Sequence, residues 1–375
     1  MTPLNASAVL FLLLLVASVS AAGLTFYVSP FGNDNNDGLS PQSPFRSIKK
    51  GVSVANKDTV ILMPGAYTGN NNINVTIPTS MSISADIGVT ITCSGHPSSF
   101  GFIVLSQASH VSFSGFKIIE CQYGIKAPYS SNNVLRGIDV ENVHFGEIRT
   151  AILAQDVNLT VKHSLFTKVE EGIFQNYMSL LTVDNSSFVN VTYNAINIHR
   201  STAKVNISNS HFERANKTAI RTLCGFNIIN STFINNSGNL GGAIFTNVSG
   251  NNEISNSIFV NNTANVGAAI YLSLSNLRIS NSVIESNMAH TGAGVYFQGQ
   301  LEVIDSTFVK NMAMKQGGGF YCASTNSFLT NVAMIDNFAP SGSAYYCYNC
   351  VNQSKNVTLV RNTAYCPSSP SSFLP

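Results

Sequence analysis

The chain has 375 residues, only 10% of them are charged, and the formal net charge at pH 7 is +2. A chain with so few charges and no basic run has no electrostatic footprint for phosphate, which excludes nucleic acid as an expected partner. Most of its polarity comes from Asn, Ser and Thr instead.

An apolar run over residues 8–19 opens the chain and is followed by Ser20, Ala21 and Ala22. The run is too short to span a bilayer, and no later apolar segment has spanning length. The pattern predicts a cleaved secretory signal over residues 1–22, although no Lys or Arg precedes the run; a membrane anchor is the alternative. We therefore expect a secreted protein without a transmembrane segment in the mature chain.

A loop rich in Asn and Asp over residues 32–38 is the first candidate metal site, because its oxygens could bind calcium. It lacks the distal glutamate of an EF-hand, since Pro44 occupies that position. Turns of this composition are common without metal. The sequence therefore predicts no metal or other cofactor, with calcium as the alternative.

A short alternating strand that ends in an apolar anchor residue recurs ten times, at spacings of 21 to 27 residues. The anchors are Ile118, Phe145, Phe166, Phe188, Phe212, Phe233, Phe259, Ile284, Phe308 and Met334. One such repeat cannot bury its own apolar face, so the repeats must stack on one another. The pattern predicts an all-β solenoid over residues 23–360, followed by a C-terminal tail over residues 361–375.

Two rows of polar residues keep fixed distances from the anchors. The first row stands three residues before them, at Asn142, Asn185, Asn209, Asn230, Asn256, Asn281, Asp305 and Asn331. The second row stands three residues after the later anchors, at Asn236, Asn262, Asn287, Asn311 and Asn337. Asn repeated at a bend is typical of turn chemistry, because side-chain amides in adjacent coils can hydrogen-bond to each other and to the turn's own backbone. A ligand-binding role for the first row is the alternative.

A Gly-rich phrase follows the later anchors by eight or nine residues, and it begins at Gly241, Gly267, Gly292, Gly317 and Gly342. We interpret it as a tight turn into the next strand. A phosphate-binding loop would need a helix behind it, and the sequence has no helical periodicity there.

The paired motifs Phe-x-x-Asn (as in Phe233 to Asn236) and Gly-Gly-Ala-Ile resemble the repeats of the chlamydial polymorphic outer-membrane proteins, and of secreted proteins from eukaryotic microbes. The start of the mature chain, from Phe26-Tyr27-Val28-Ser29-Pro30 to Pro64-Gly65-Ala66-Tyr67, looks like the opening coil of the pectin-lyase-like superfamily. These resemblances imply a single-stranded right-handed parallel β-helix with three sheets. They also imply adhesion or polysaccharide cleavage as activities.

Pectin-lyase-like enzymes use acidic and basic residues from consecutive coils of one sheet. The equivalent cluster here is Asp139, Glu141, Lys162 and Asp184, because the last three stand four residues before successive anchors. Parallel strands would bring these charges within pairing distance. We interpret the row as a solvated charge ladder and predict no catalytic residue, and the same four residues are the catalytic candidates if the protein is an enzyme.

An aromatic row occurs just after the Gly-rich phrases, one residue per coil, at Phe245, Tyr271, Tyr296, Tyr321 and Tyr346. The positions on either side of it have a more core-like composition, which favours an outward orientation. An exposed aromatic strip would be a binding platform for sugar rings. If the strand phase is reversed, the row is a buried stack instead.

Seven cysteines in an exported chain indicate disulfides. Cys322 and Cys347 take the same position in adjacent coils, where the strand spacing fits a disulfide. We therefore predict Cys322 with Cys347, Cys350 with Cys366, and Cys93 with Cys121. This scheme leaves Cys224 as a thiol.

The sequence thus favours a secreted, glycosylated β-helix protein that binds polysaccharide or a cell-surface glycan without catalysis. The alternatives are a polysaccharide lyase or glycoside hydrolase, and a purely structural extracellular solenoid. Twelve glycosylation sequons follow the predicted signal, at Asn74, Asn158, Asn185, Asn190, Asn206, Asn216, Asn230, Asn235, Asn247, Asn261, Asn352 and Asn356.

Overall fold

The computed structural model describes residues 23–96, 98–129, 136–177, 180–199, 204–323 and 326–364. The predicted signal lies outside these residues. The described chain is an all-β, right-handed parallel β-helix of about 11 turns, as predicted. Within the described ranges, no helix has the length and apolar character needed to cross a membrane.

Three parallel sheets form the solenoid, and we name them the long, groove and short sheets. The long sheet contains β1 (Thr25–Val28), β2 (Thr59–Leu62), β3 (Gly65–Tyr67), β5 (Met81–Ala85), β6 (Val89–Thr92), β8 (His110–Ser114), β9 (Lys117–Ile119), β11 (Arg136–Glu141), β12 (His144–Gly146), β14 (Val157–Lys162), β15 (Leu165–Thr167), β17 (Leu181–Asp184), β18 (Ser187–Val191), β20 (Val205–Ser208), β21 (His211–Ala215), β23 (Phe226–Ile229), β24 (Thr232–Ile234), β27 (Asn251–Ser255), β28 (Ile258–Val260), β31 (Asn276–Ser280), β32 (Val283–Glu285), β35 (Leu301–Ile304), β36 (Thr307–Val309), β39 (Asn326–Ile335) and β41 (Val351–Val360). The groove sheet contains β4 (Val75–Ile77), β7 (Phe100–Val104), β10 (Tyr123–Ala127), β13 (Thr150–Gln155), β16 (Glu171–Asn176), β19 (Asn194–His199), β22 (Thr218–Thr222), β26 (Ile244–Thr246), β30 (Ile270–Ser273), β34 (Val295–Gln298), β38 (Phe320–Ala323) and β40 (Tyr345–Tyr348). The short sheet contains β25 (Ser237–Leu240), β29 (Thr263–Val266), β33 (Met288–Thr291) and β37 (Met312–Gln316).

One short helix, α1 (Ile48–Val54), packs against β1, β2 and β4 at the start of the solenoid. Ser47 is its N-cap, and the Ser47 hydroxyl accepts a hydrogen bond from the backbone N–H of Lys50. Ile48 and Val52 are buried against the first coil, which explains why a chain otherwise built of strands tolerates a helix here.

The anchors form a continuous column inside the solenoid, which fixes the register between coils. The rings of Phe145, Phe166, Phe188, Phe212, Phe233 and Phe259 stack with centroid distances of 4.3 to 5.0 Å. A stacked pair contributes about 0.5–1.5 kcal/mol beyond its buried area. Because a slip of one residue would turn every anchor outward, the column specifies a single register.

The first Asn row lies at the bend that precedes each anchor strand. Its members have left-handed backbone, with φ between 45° and 55°, a conformation that Asn tolerates better than most residues. Exposed side chains of the row also hydrogen-bond to one another, as from Asn331 Nδ2 to Asp305 Oδ1 at 2.8 Å. The prediction of turn chemistry is therefore confirmed.

The second Asn row is an internal ladder in the later coils, and it is fully buried. From Asn262 onward, each Asn accepts two hydrogen bonds at Oδ1 from the Asn of the preceding coil, one from its backbone N–H and one from its Nδ2. Asn236 begins the ladder and accepts from the backbone N–H of Ala215. The same Nδ2 also donates to a backbone carbonyl, as from Asn287 to Phe259 at 3.1 Å. The ladder continues to Asn362, within the segment predicted to be a tail. Such a network stabilises the interior because the polar atoms that it buries find partners.

The Gly-rich phrases form tight turns, as predicted. Gly317 has a φ of 70°, and a Cβ atom at this position would lie 2.5 Å from the carbonyl oxygen of Phe320. A side chain would therefore be strained by its backbone conformation and would also clash with the next strand.

The loop at residues 32–38 uses its carboxylates within the protein. Asp34 accepts hydrogen bonds from the backbone N–H groups of Arg46 and Ser47, both at 2.9 Å, and from the Ser47 hydroxyl. Asp37 accepts hydrogen bonds from the Ser43 hydroxyl and from the backbone N–H of Leu39, and these bonds lower the pKa of Asp37. These bonds explain the composition of the loop as turn chemistry.

The cysteines follow the predicted scheme only in part. Cys93 is bonded to Cys121, as predicted. Cys347, however, is bonded to Cys350, so the predicted Cys322–Cys347 and Cys350–Cys366 pairs are wrong for this structure. The chain turns at Asn349, which has a φ of 53°, and this turn brings Cys350 next to Cys347.

Two of the remaining cysteines are buried thiols. Cys322 lies beneath Cys347 in the coil below, in the register that the sequence indicates. Cys224, which the scheme left as a thiol, has its Sγ 3.2 Å from the hydroxyl oxygen of Thr222. Cys366 lies outside the described residues.

Candidate functional site

The aromatic row faces outward on the groove sheet. Its five members are partly exposed, whereas the flanking residues, such as Ile270 and Leu272 around Tyr271, are buried. Strand register also places the five in one line, from Phe245 to Tyr346. Of the two orientations that the sequence left open, the outward one is therefore correct.

The rings of the aromatic row stack on one another along the solenoid axis. Successive centroids are 5.1 to 5.4 Å apart, and the planes are within 16° of parallel. Because each inner ring covers its neighbours' faces, the row presents ring edges and hydroxyl groups to solvent rather than open faces. Burial raises the pKa of Tyr296, and the neighbouring Tyr271 and Tyr321 add to the increase.

The same outward column continues into the earlier coils, where its composition changes. In register below Phe245 lie Arg221, Asn197, Phe174 and Leu153, one from each preceding coil. These side chains form part of a groove of about 740 Å³ on the groove sheet. The column is therefore uniform in the later coils and varied where the groove lies.

Arg221 is the central cation of the groove. Its Nη1 donates to Asn197 Oδ1 at 3.2 Å and to His199 Nε2 at 2.9 Å. Because a guanidinium can only donate, His199 Nε2 is the acceptor of this hydrogen bond. The guanidinium carbon also lies 5.7 Å from the centroid of the Phe245 ring, so the aromatic row begins directly on this cation.

Glu171 is the acid at the other end of the same network. Asn197 Nδ2 donates to Glu171 Oε1 at 2.7 Å, so this one amide links Glu171 to Arg221. Burial raises the pKa of Glu171, and the charge of Glu170 adds to the increase. The hydrogen bond from Asn197 and the charges of Lys217 and Arg149 oppose the increase without cancelling it.

Two further cations line the edge of the groove. Lys217 Nζ lies 4.0 Å from the centroid of the Tyr193 ring, and Arg149 Nε lies 3.6 Å from Glu170 Oε2. Among the described residues, neither Lys217 nor Arg221 has a carboxylate partner within ion-pair distance. The groove therefore combines unpaired cations, hydrogen-bonding groups and aromatic surface.

The charged row predicted from the sequence lies on the long sheet, away from this groove. Glu141, Lys162 and Asp184 are in register on β11, β14 and β17, as expected. Asp139 instead pairs with His110 at 3.2 Å, and Glu141 lies 3.5 Å from His163. About half of the side-chain surface of both acids is exposed.

Asp184 completes that row and is committed to local hydrogen bonds. Its Oδ1 accepts from the Ser208 hydroxyl at 2.6 Å and from Asn209 Nδ2 at 2.8 Å, and these bonds lower its pKa. A carboxylate held in its charged form on an open face lacks the pKa of a general acid at neutral pH. The arrangement matches the interpretation of a solvated charge ladder.

The groove was not found from the sequence, although one signal for it exists. The aromatic row was recognised by its position after the Gly-rich phrases, and the coils that hold Leu153, Phe174 and Asn197 lack those phrases. Alignment of the outward positions across the coils would have shown the change from Asn197 and Arg221 to Phe245.

A protein-family model described as the right handed beta helix region matches residues 100–240 and 171–364. These matches span well over half of the sequence, and the chain belongs to the right-handed β-helix family. No curated protein matches it.

Solved structures with a similar fold have low sequence identity to this chain. Pectate lyase Pel9A is 16% identical with a TM-score of 0.43, over 87% of this chain and 78% of that chain. XylC, solved in complex with xylose, is 9% identical with a TM-score of 0.47, over 90% and 86% of the two chains. PfbA, a surface adhesin of Streptococcus pneumoniae, is 12% identical with a TM-score of 0.36, over 82% and 85%.

Proposed function

We propose that the protein is a secreted, glycosylated β-helix protein that binds a saccharide chain in the groove without cleaving it. The observation that carries the proposal is the network Glu171–Asn197–Arg221–His199, which lies in an open groove beside the ring of Phe245. The groove lies on a sheet whose strands repeat along the solenoid axis, so it suits a repeating chain as ligand.

The chemistry of the groove favours a saccharide over an apolar ligand. Sugar hydroxyls both donate and accept hydrogen bonds, and planar groups such as those of Asn197, Arg221 and Glu171 can pair with them in fixed directions. The partly exposed rings of Phe174, Tyr193 and Phe245 supply apolar surface for the C–H faces of pyranose rings. Beyond Phe245, the tyrosines of the aromatic row extend this surface with edges and hydroxyl groups.

The positions of the glycosylation sequons support this location. Eight of the twelve Asn residues are exposed, and none of the twelve lines the groove. Asn190, Asn235 and Asn261 each stand two residues after an anchor of the long sheet. Glycans at these positions would cover the long sheet and leave the groove accessible. The resemblance of the repeats to chlamydial adhesins also supports a surface-binding role.

Secretion and glycosylation have a direct test. The full chain expressed in a eukaryotic host should appear in the medium, without residues 1–22, and lose mass after peptide N-glycosidase treatment. Protein that stays in the cell with its apolar N-terminus intact would contradict this part of the proposal.

Binding is tested with a glycan array, followed by calorimetry on the best ligand. Arg221→Ala should weaken binding about tenfold or more, because it removes a charged donor and leaves Asn197 Oδ1 without this partner. The matched control is Lys162→Ala, which removes an exposed cation from the long sheet. Wild-type affinity in Arg221→Ala, or equal losses in both variants, would refute the groove as the site. A folded protein that binds no glycan would favour the purely structural alternative.

Glycoside hydrolysis is a second candidate function, and Glu171 is the reason to consider it. The raised pKa of Glu171 suits a general acid, and Glu170, near Arg149, offers a second carboxylate of different environment. Release of reducing ends from the bound glycan would establish hydrolysis if it disappears in Glu171→Gln while binding remains. Unaltered glycan after prolonged incubation would favour binding alone. Turnover lost in Asp184→Asn and Lys162→Ala would instead identify the long-sheet row as catalytic.

A further inference from the structure

Three cysteine sulfurs meet at the C-terminal end of the groove sheet. Cys322 on β38 is in register with Cys347 on β40, and Cys350 follows in the turn after β40. The three Sγ atoms all lie within 4.8 Å of one another. Cys347 and Cys350 form a disulfide, whereas Cys322 is a fully buried thiol.

We propose that these cysteines form an internal thiol–disulfide exchange centre. The Cys322 thiolate attacks Cys347 Sγ, so that a Cys322–Cys347 bond forms while the Cys347–Cys350 bond breaks. The electron pair of the broken bond remains on Cys350 Sγ, which takes up the proton that Cys322 released. The number of thiols and disulfides is unchanged, and the step needs no external oxidant.

Strand geometry makes the second pairing accessible without rearrangement of the coils. Paired positions on adjacent parallel strands are about 4.8 Å apart, which lies within the Cα range of disulfides. Cys322 and Cys347 occupy such a pair, so both the present pairing and its isomer fit the same backbone.

The exchange moves the thiol from the core to the surface. Cys322 is buried under the last described coils, whereas Cys350 is partly exposed and directly follows the exposed Tyr348 and Asn349. Thiol reactivity requires access as well as thiolate character. Cys350 is thereby the site where the protein can form a mixed disulfide with a small disulfide compound.

Trapping of the released thiol tests the proposal. Native, unreduced protein carrying Cys366→Ser is incubated with N-ethylmaleimide at pH 8 for increasing times, quenched in acid, denatured and digested without reduction. Peptide mapping should show maleimide on Cys350 and a Cys322–Cys347 crosslink, both increasing with time. Cys322→Ser should reduce the labelling of Cys350 about tenfold, because the attacking sulfur is missing. Cys224, a buried thiol elsewhere, should stay unlabelled, which shows that the protein remained folded.

Two patterns would overturn the proposal. In one, the Cys347–Cys350 crosslink persists and Cys322 reacts only after denaturation. In the other, Cys350 is fully labelled at the first time point and the Cys322–Cys347 crosslink is already complete. This pattern indicates a permanent Cys322–Cys347 disulfide without exchange. If Cys322→Ser fails to accumulate, Cys350→Ser provides the second test. Oxidised glutathione should convert that variant to the Cys322–Cys347 disulfide, and two persisting thiols would refute the geometry.

Discussion

The outward column of the groove sheet differs sharply on the two sides of Phe245. In the later coils it consists of four stacked tyrosines, whereas in the four preceding coils it consists of Leu153, Phe174, Asn197 and Arg221. Stacking between neighbouring coils is enough to explain why one residue type is repeated along the column. The part of the column where each coil carries a different side chain is where the cations, acids and hydrogen bonds converge. In this solenoid, departure from the repeat marks the candidate site.

The interior changes at nearly the same coil. Three residues after the anchor, the earlier coils have the buried apolar residues Ile148, Val169, Val191 and Ala215. The later coils have the Asn ladder at this position, and these are also the coils that carry the short sheet. The groove lies on the coils that have an apolar residue at this position, and the aromatic row lies on the coils that have the Asn ladder. The two halves should therefore depend on different interactions for stability.

The largest effect is expected from the Asn ladder. Asn287→Ala removes the acceptor of Asn262 N–H and Nδ2, and the donor to the Phe259 carbonyl. Because these buried groups then lack that partner, we expect the free energy of unfolding to fall by about 3 kcal/mol or more. Urea unfolding followed by far-ultraviolet circular dichroism measures the change.

The matched control for the ladder is Asn265→Ala on the short sheet. Asn265 is exposed, and its Nδ2 donates to the exposed Asn239, so its loss should cost less than about 1 kcal/mol. Equal effects of the two substitutions would show that the ladder stabilises no more than a surface amide does.

A smaller effect is expected from the aromatic row. Tyr296→Ala removes two stacked contacts, with Tyr271 and Tyr321, and should lower the free energy of unfolding by about 1–2 kcal/mol. Arg221→Ala removes partly exposed hydrogen bonds and should change stability by less than about 1 kcal/mol. The same urea experiment compares the two variants.

The contrast between these variants is the critical outcome. Tyr296→Ala should act mainly on stability, and Arg221→Ala mainly on glycan affinity. If Arg221→Ala proves the more destabilising of the two, the network around it has a structural role, and the division between the two halves is wrong.

The smallest effect concerns Glu171 and pH. Because burial raises its pKa above the ordinary 4.5, the unfolded chain releases this proton more readily than the folded chain does. Stability should therefore fall as the pH rises from about 4.5 through the higher folded pKa, and the full penalty remains above it. Glu171→Gln should lack this contribution, so its urea midpoint should depend less on pH.

Glu253→Gln on the long sheet is the control for loss of an acidic charge, because Glu253 is exposed. Its midpoint should follow the wild-type pH dependence. A Glu171→Gln profile that also follows the wild type would show that Glu171 is solvated as an ordinary carboxylate.

The parts of the fold that the sequence predicted are those that the repeat specifies. The Phe anchors and the Asn bends recur at fixed distances, so the stacking direction, the register and the turns could be read from spacing alone. The position of the aromatic row followed from the same spacing. Its orientation did not, because short runs such as Ile270-Tyr271-Leu272 are apolar on both faces.

The groove and the last disulfide depend on contacts that no repeat encodes. Asn197 links Glu171 to Arg221 across three coils. Each of these residue types occurs at its position in one coil and is not repeated at the equivalent position of the neighbouring coils. Cys350 is bonded to Cys347 because a left-handed turn at Asn349 brings the two residues together. Spacing alone predicted Cys322 as the partner, since it takes the same position as Cys347 in the adjacent coil. Spacing predicts which coils are neighbours, but it does not predict where a single turn departs from the pattern.

The buried Asn ladder also has a mechanical consequence. Its hydrogen bonds join each coil to the next along the solenoid axis, so a force that pulls on the C-terminus loads these bonds one coil at a time. With 21 to 27 residues between anchors, each detached coil would release about 80 Å of contour length. We therefore expect the later coils to detach under force in regular steps. In each step, the Asn–Asn hydrogen bonds of one coil and the pairing of its strands break together.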